Sequence, residues 1–246
     1  MQFSTSWPRH VELPSISTFR RRIKNRVIQS VGRRAKYLLF PLDLGALIIH
    51  LRMSGDLYLR PPDAEKDPYV HSAFHLDNGW QLRFSDARKF GRIYWTRDPQ
   101  EVLENLGPEP LEDNFTAEVL QDHLHARRRQ LKPLLLDQSF LAGMGNIYVD
   151  ESLHRARLHP LRRSDTLKKP EIERLWESIR TSLREGIRHN GASIDWVYGG
   201  GDYQNHFRVY KQDGQPCDFC GASIERTVVG QRGTYFCPGC QQENIA

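Results

Sequence analysis

Residues 217–240 read CDFCGASIERTVVGQRGTYFCPGC and contain all four cysteines of the 246-residue chain. The cysteines form two CxxC pairs, Cys217 with Cys220 and Cys237 with Cys240, separated by sixteen residues. Two tight CxxC turns at this spacing can place four thiolates around one tetrahedral Zn²⁺. The sequence therefore predicts one structural zinc ion, because four cysteine ligands leave no open coordination position for water.

The segment between the two cysteine pairs alternates as the strands of a β-hairpin do. Residues 224–236 return the chain through the turn-forming run Gly230-Gln231-Arg232-Gly233. Two disulfides in a secreted protein are the alternative use of four cysteines. The sequence begins MQFSTSW, which lacks the basic and apolar regions of a secretory signal, and this favours zinc in a reducing, cytoplasmic compartment. We therefore expect a zinc-ribbon-like hairpin over residues 207–246.

The charge of the chain points to a polyanionic partner. Lys and Arg total 35 and Asp and Glu total 30, for a net charge of +5. The excess is concentrated in residues 1–36, where nine Lys or Arg accompany the single acid Glu12. Such a segment favours phosphate binding, although a solvated basic face would have the same composition. No apolar stretch approaches the roughly 20 residues that span a membrane, so no membrane partner is expected.

Residues 1–97 alternate apolar and polar side chains as β-strands do. Asp77-Asn78-Gly79 between two apolar runs is a hairpin signal, and Pro14 opens a short basic helix that continues through Ile23. Strands are predicted over residues 27–31, 37–40, 45–51, 56–59, 72–76, 80–84 and 92–95. This pattern indicates a mostly antiparallel sandwich or barrel.

Residues 98–191 have the period of helices instead. One helix is predicted to begin at Thr116 and another at Asn146, and residues 167–189 carry apolar side chains at i, i+3 and i+4. The run Gly143-Met144-Gly145-Asn146 before the second helix is a candidate anion site, because its glycines let backbone N–H groups approach an anion at a helix N-terminus. The basic residues before it favour that interpretation; they are Arg127, Arg128, Arg129 and Lys132. A tight helix–helix turn beside a solvated basic face is the alternative.

Seven segments, taken together and in their order, resemble the formamidopyrimidine-DNA glycosylase and endonuclease VIII family of base-excision repair enzymes, and in detail its formamidopyrimidine branch. The segments are residues 31–38, 50–55, 86–91, 106–111, 145–148 and 202–207, and the zinc hairpin with 231–235. The resemblance implies an α+β fold of three domains. These are an antiparallel β-sandwich over 1–97, a helix-two-turn-helix domain over 98–206 and the zinc finger over 207–246.

The resemblance also implies an activity and a partner. Family members remove oxidised purines, such as formamidopyrimidine and 8-oxoguanine, from damaged double-stranded DNA. They flip the damaged nucleotide out, an N-terminal proline amine attacks the sugar C1′, and elimination then cleaves the strand. A monomeric, cytoplasmic DNA glycosylase and abasic-site lyase with one structural Zn²⁺ is therefore expected.

Four residues fall on the family's phosphate-contacting positions. Lys36 resembles the lysine that contacts phosphate and assists elimination, although a lysine there, taken alone, would be an exposed strand residue. Arg232 resembles the arginine that grips the phosphates beside the lesion and supports the second elimination. Arg127 and Asn146 resemble further phosphate contacts. Lys36 and Arg232 are thus the expected catalytic residues.

Four more residues fall on positions that contact the bases or the backbone near the lesion. Met53, Arg88 and Phe90 resemble the residues that fill the gap left by the extruded base, although Met53 and Phe90, taken alone, would more often be core residues. Tyr69 occupies a DNA-contacting position where the family commonly has a histidine. Tyr69 can still donate a hydrogen bond to DNA at this position, but it cannot take the role of an imidazole.

One part of the family pattern has no counterpart in this sequence. Family members continue after their first Met with a Pro-Glu-Leu-Pro-Glu segment, whereas residue 2 here is Gln2. Residues 11–15 (VELPS) resemble that segment by eye but lie at the spacing of a later one, so Glu12 receives no catalytic role. We therefore expect the sandwich to be incomplete at its N-terminus.

Three hypotheses follow from these observations. The protein is a glycosylase and lyase whose first segment is missing from this sequence, or a damaged-DNA-binding protein without glycosylase activity, or a zinc-ribbon nucleic-acid protein of another function. The reading frame upstream of Met1 separates the first two: an in-frame Met-Pro-Glu-Leu-Pro-Glu favours the enzyme, and a stop codon directly upstream excludes it. Lesion preference is expected to depend on a loop near residues 198–204.

Overall fold

We describe residues 1–65, 67–193 and 200–243 of a computed structural model, which form two units. The first unit takes in the described residues up to Asn105, and the second takes in those from Leu106 onward. None of the described helices is long and apolar enough to span a bilayer.

The first unit consists of two β-sheets with helix α1 against them. Its elements are β1 (Gln2–Thr5), β2 (Val11–Leu13), α1 (Ile16–Ile23), β3 (Gly32–Arg34), β4 (Tyr37–Pro41), β5 (Ala46–His50), β6 (Gly55–Arg60), β7 (Val70–His75), β8 (Gln81–Asp86), β9 (Arg92–Thr96) and α2 (Gln100–Leu103). One sheet has the strand order β1-β7-β8-β6 and the other β2-β9-β5-β4-β3. All of these pairings are antiparallel except that of β2 with β9. The predicted antiparallel sandwich is therefore confirmed.

The core of the first unit lies between its two sheets. Apolar side chains from both sheets and from α1 form one buried cluster, which includes Phe19, Leu47, Ile49, Phe74 and Phe84. Because side chains alternate along a strand, the other face of β5 carries a second cluster, formed with β9. Burial of both faces explains why β5 is apolar from Ala46 to Ile49.

The first unit ends later than the boundary expected at residue 97. Val102 of α2 packs against the cluster on the outer face of β5, and Leu103 is buried. The Thr96 hydroxyl donates to the Glu101 carboxylate at 2.5 Å. These contacts attach α2 to the sheet, so the division falls after Asn105.

Most of the predicted elements of the first unit are confirmed. Strands β4 to β9 match the predictions to within two residues at each end, and α1 matches the predicted basic helix. The strand predicted over 27–31 is wrong. Ile28 makes only an isolated bridge with Leu42, and the Val27 N–H donates to the Asp43 side chain at 3.0 Å instead of to a strand.

The second unit combines the helices and the cysteine hairpin. Its elements are α3 (Ala117–His125), α4 (Leu131–Leu136), α5 (Asn146–Ala156), α6 (Lys169–Arg188), β10 (Glu225–Val229) and β11 (Arg232–Phe236), with a 3₁₀ turn at Tyr203–His206. The predicted helices and hairpin strands are confirmed. Thr116 caps α3 by accepting from the Val119 N–H, and Gly145 is the N-cap of α5, so Asn146 is its first helical residue and not its cap.

The boundary expected at residue 206 cuts through this second unit. The Glu151 carboxylate on α5 accepts backbone N–H groups of Arg208, Val209 and Tyr210 at 2.9–3.1 Å. Glu151 is almost fully buried. Because a buried carboxylate without partners costs several kcal/mol, these hydrogen bonds join the chain after residue 206 to the helical core.

Candidate zinc and DNA-binding site

The four cysteines meet at the open end of the hairpin. Their sulfur atoms all lie within 4.8 Å of one another, with Sγ–Sγ distances of 3.9 Å between Cys217 and Cys240 and 3.5 Å between Cys220 and Cys237. A ZnS₄ tetrahedron with bonds of ~2.3 Å has edges of about 3.8 Å. All four thiols are free, so the disulfide alternative is wrong and the residues fit a zinc ion.

A buried histidine lies beside the cysteine cluster. His154 Nε2 on α5 is 3.3 Å from the Cys217 sulfur. Burial lowers the pKa of His154 to about 4, so the ring is neutral near pH 7 and can donate one N–H to the sulfur. No spacing rule pointed to His154, because it lies 63 residues from Cys217 in sequence.

The basic residue Lys132 belongs to the structural core and not to an anion site. Its ammonium nitrogen lies 2.6 Å from Asp150 Oδ1 and donates to the Gly233 carbonyl at 2.9 Å, and both charged side chains are fully buried. Burial lowers the pKa of Lys132 and raises that of Asp150, and the attraction between the two opposes both shifts. The expected contribution of Lys132 to anion binding at the glycine loop is therefore wrong.

This ion pair holds the hairpin in place next to Arg232. Asn146 Nδ2 donates to the same Gly233 carbonyl at 2.9 Å, and the Tyr235 N–H donates to Asp150 at 3.1 Å. Arg232 is exposed at the start of β11, directly before Gly233. Helices α4 and α5 thus fix the backbone that follows the arginine.

In the first unit, the candidate wedge residues lie on two neighbouring turns. Met53 follows β5 and is 59% exposed, whereas Phe90 follows β8 and is 52% exposed. The Arg88 guanidinium reaches the Met53 sulfur at 3.8 Å. The structure therefore brings Met53 and Arg88 together, and the alternative in which Met53 and Phe90 are core residues is wrong.

A buried carboxylate holds both turns. Asp86 accepts the Ser54 hydroxyl at 2.5 Å and the Gly91 N–H at 2.7 Å. A side chain at Gly91 would collide with the Phe84 ring, so the backbone approaches Asp86 closely only with glycine there. Asp86 stood in one of the seven family segments, but sequence reasoning gave it no role.

Tyr69 and Lys36 lie near these turns. The Tyr69 carbonyl accepts the Asp86 N–H at 2.9 Å, and its ring is exposed. Lys36 is exposed in the tight turn between β3 and β4, and its charge lowers the pKa of His50 on the neighbouring strand. Tyr69 therefore adjoins the carboxylate that holds the wedge turns, and Lys36 lies close to the strand that precedes Met53.

His50 holds the turn that carries Met53. Its Nδ1 accepts the Arg52 N–H at 2.9 Å, and Arg52 adopts a left-handed backbone with φ of 58°. Burial, helped by the charges of Arg52 and Lys36, lowers the pKa of His50 to about 4. The neutral ring can therefore accept this hydrogen bond at pH 7.

We expect acid to destabilise the first unit through His50. A buried histidine whose pKa is lowered stabilises the fold fully above pH 6.5, and this stability is lost as the pH falls towards about 4, by about 3 kcal/mol at most. Urea denaturation across this pH range measures the effect. The variant His50→Asn keeps an acceptor for the Arg52 N–H. On unfolding, it should take up about one proton fewer than the wild type does. An unchanged pH slope would contradict this.

Arg127 lies in the turn after α3. Its side chain is exposed, and its carbonyl accepts a hydrogen bond from the Ser164 hydroxyl. In the predicted loop near residues 198–204, Tyr198 and Gly199 lie outside the described residues, and Gln204 donates to the Gly201 carbonyl at 2.9 Å. The role of that loop in lesion preference stays a prediction.

A helical module tied to a four-cysteine hairpin defines a DNA-binding protein of the helix-two-turn-helix class. Three family models match the chain: "Formamidopyrimidine-DNA glycosylase N-terminal domain" over residues 2–93, "Formamidopyrimidine-DNA glycosylase H2TH domain" over 106–197, and "Zinc finger found in FPG and IleRS" over 214–242. The chain belongs to the formamidopyrimidine-DNA glycosylase family, which confirms the resemblance.

Curated relatives and solved structures agree with this assignment. The formamidopyrimidine-DNA glycosylase of Roseiflexus sp. is 46% identical, covering 96% of this chain and 89% of that protein. That of Pelotomaculum thermopropionicum is 44% identical, covering 96% and 88%. Lactococcus lactis FPG in complex with Fapy-dG-containing DNA superposes with a TM-score of 0.90, and MutM in complex with carbocyclic 8-oxo-G-containing DNA with 0.91. Both structures are 35% identical to this protein in sequence, and each match covers 98% of this chain and 91% of the chain in the solved structure.

Proposed function

We propose that this protein acts in base-excision repair as a DNA glycosylase and abasic-site lyase that removes oxidised purines, such as formamidopyrimidine and 8-oxoguanine, from double-stranded DNA. The observation that carries the proposal is the exposed pair of turns bearing Met53, Arg88 and Phe90, both held by the buried Asp86. The damaged-DNA complexes among the similar structures support it.

The wedge residues suit base extrusion. Flipping a nucleotide leaves a gap in the stack, and unstacking costs a few kcal/mol that apolar side chains inserted into the gap can offset. Met53 and Phe90 are apolar and exposed, and the Arg88 guanidinium can donate to the base opposite the gap. Fixed turns favour this insertion because little conformational entropy remains to be lost on binding.

The charged residues suit the elimination chemistry. The Lys36 ammonium can contact a phosphate and transfer a proton, and Arg232 can hold the phosphates beside the lesion through two parallel N–H donors. We propose Tyr69, Arg127 and Asn146 as further DNA contacts. Tyr69 and Arg127 are exposed. Asn146 is half-buried, and its side-chain nitrogen donates to the hairpin. In this proposal the start of α5 at Asn146, and not the Asn146 side chain, therefore faces the phosphate.

We also propose the setting in which the protein acts. Its substrate is chromosomal DNA and its similar proteins are bacterial, so we place it in the cytoplasm with the nucleoid. One copy carries all the proposed binding residues, which is consistent with a monomer on the duplex.

Borohydride trapping tests the glycosylase step. An amine nucleophile forms an imine with the sugar, and borohydride reduces this imine to a stable protein–DNA adduct. We expect the protein expressed from its own gene to form this adduct with an 8-oxoguanine duplex. Binding without any adduct would overturn the proposal. It would favour a damaged-DNA-binding protein that lacks glycosylase activity, in agreement with the absence from this sequence of a residue that matches the family's proline.

The variants Lys36→Ala and Arg232→Ala distinguish lesion recognition from general nucleic-acid binding. Each should weaken binding to a duplex with an abasic site more than binding to the undamaged duplex, measured by fluorescence anisotropy. Lys24→Ala removes an exposed lysine after α1 and serves as the matched control. Equal losses on both duplexes would instead favour a zinc-ribbon protein of another function.

A further inference from the structure

A cluster of metal-binding side chains lies in the second unit, away from the cysteines. His189 follows the last turn of α6, Asp202 precedes the 3₁₀ turn, and His206 is the last residue of that turn. Asp202 Oδ2 is 3.6 Å from His189 Nδ1 and 3.1 Å from His206 Nε2. His189 and His206 have no role in the proposed repair reaction, and Asp202 lies in the loop on which lesion preference is expected to depend.

The distances suit coordination of one ion. Metal–nitrogen and metal–oxygen bonds of ~2.0–2.2 Å in a tetrahedral site place neighbouring donor atoms about 3.3–3.6 Å apart. The Asp202–His189 distance lies at the upper end of this range and the Asp202–His206 distance lies slightly below it, and all three donor atoms lie within 4.8 Å of one another. The three atoms are therefore close enough together to share an ion.

The backbone that carries these ligands is fixed by the surrounding structure. The Asp202 N–H donates to the His189 carbonyl at 2.8 Å, and the Asn205 side chain donates to Asp202 Oδ1 at 2.6 Å, leaving Oδ2 to face the histidines. Tyr203 between the ligands is fully buried and stacks on Tyr148 at 5.6 Å. The site is therefore held by packing on α5 and α6.

The ligand set selects the class of metal. Imidazole nitrogens with one carboxylate suit Zn²⁺, Ni²⁺, Co²⁺ and Cu²⁺, whereas Mg²⁺ and Ca²⁺ prefer oxygen ligands. The side chains of His189, Asp202 and His206 are 25%, 58% and 44% exposed, so solvent can complete the coordination. We propose that these three residues form a second metal site, which binds a divalent transition metal ion and ties the end of α6 to the 3₁₀ turn.

Titration of the zinc-loaded, tag-free protein with Ni²⁺ in a calorimeter tests the proposal. The wild type should bind one additional equivalent beyond the zinc. His206→Ala and His189→Ala should each weaken this binding at least tenfold, while His125→Ala, which removes an exposed histidine of α3, should not. Because His206 is nearly half exposed, its replacement leaves the fold intact, which the thermal melting curve without Ni²⁺ checks.

Absorption of added Co²⁺ identifies the donor atoms. Binding at the proposed site should produce weak visible bands without the intense near-ultraviolet charge-transfer band of a cobalt thiolate, and His206→Ala should lose the visible bands. No additional equivalent of Ni²⁺, or binding that both histidine variants retain, would overturn the proposal. These measurements contain no DNA, so their failure is independent of the repair function.

Discussion

Removal of zinc by a strong chelator is expected to unfold the cysteine hairpin and abolish binding to lesion-containing DNA. Strand β10 is exposed except at Val229, and the hairpin's own buried cluster contains only Val209, Ile224 and two of the cysteines. So small a core cannot offset the conformational entropy of ordering the hairpin. Zinc binding contributes about 10–16 kcal/mol in comparable fingers, and without it the Arg232 backbone loses its support.

Fluorescence anisotropy with an 8-oxoguanine duplex measures this effect, and a colorimetric zinc indicator confirms that the metal has been removed. Re-addition of Zn²⁺ should restore binding. Cys237→Ser should reproduce the loss, whereas Ser223→Ala in the same hairpin should bind normally. Binding that persists after complete zinc removal would contradict the expectation.

Lys132→Met should destabilise the second unit by about 3–5 kcal/mol, because it leaves the fully buried Asp150 carboxylate without its cation. It also removes a donor to the Gly233 carbonyl, which adjoins Arg232. Urea denaturation measures the stability. The double variant Lys132→Met with Asp150→Asn should recover most of the loss, since the amide keeps an acceptor for the Tyr235 N–H without a buried charge.

Lys169→Met is the matched control for this charge removal. Lys169 is exposed on α6 and lies 4.0 Å from Glu173, and such surface pairs contribute at most ~1 kcal/mol. A Lys132→Met variant as stable as the control would show that the buried pair does not support the hairpin. Single and double variants of equal stability would show that the unpaired carboxylate is not the cause of the loss.

The regular parts of the fold could be predicted because their signals are local. The alternation that predicts β4 to β9 is contained within five or six residues, and Thr116 carries the cap of α3 in its own side chain. Strand β1 could not be predicted in this way. Its residues Gln2–Thr5 are mostly polar, and they form a strand because they pair with β7, about seventy residues away.

The candidate site was predicted only in part. The motifs pointed to Met53, Arg88 and Phe90, but their exposure depends on Asp86, whose partner Ser54 lies 32 residues away. The same reasoning misplaced Lys132, since charged residues are mostly exposed and its buried partners cannot be recognised from composition. His50 likewise has an ordinary sequence context, and burial, which follows only from the tertiary structure, is the main cause of its lowered pKa.

The sequence by itself determined the zinc ligands, the succession of elements and the family. The CxxC spacing, the hydrophobic period and the order of the motifs all depend only on the order of residues along the chain. The tertiary structure alone decided which charges are exposed for DNA and which support the fold. Arg232 and Lys132 are both basic, yet one is exposed and the other is buried against a carbonyl 101 residues away. The physical reason is desolvation: a charge can be buried only where folding brings an opposite charge and hydrogen-bond partners to it.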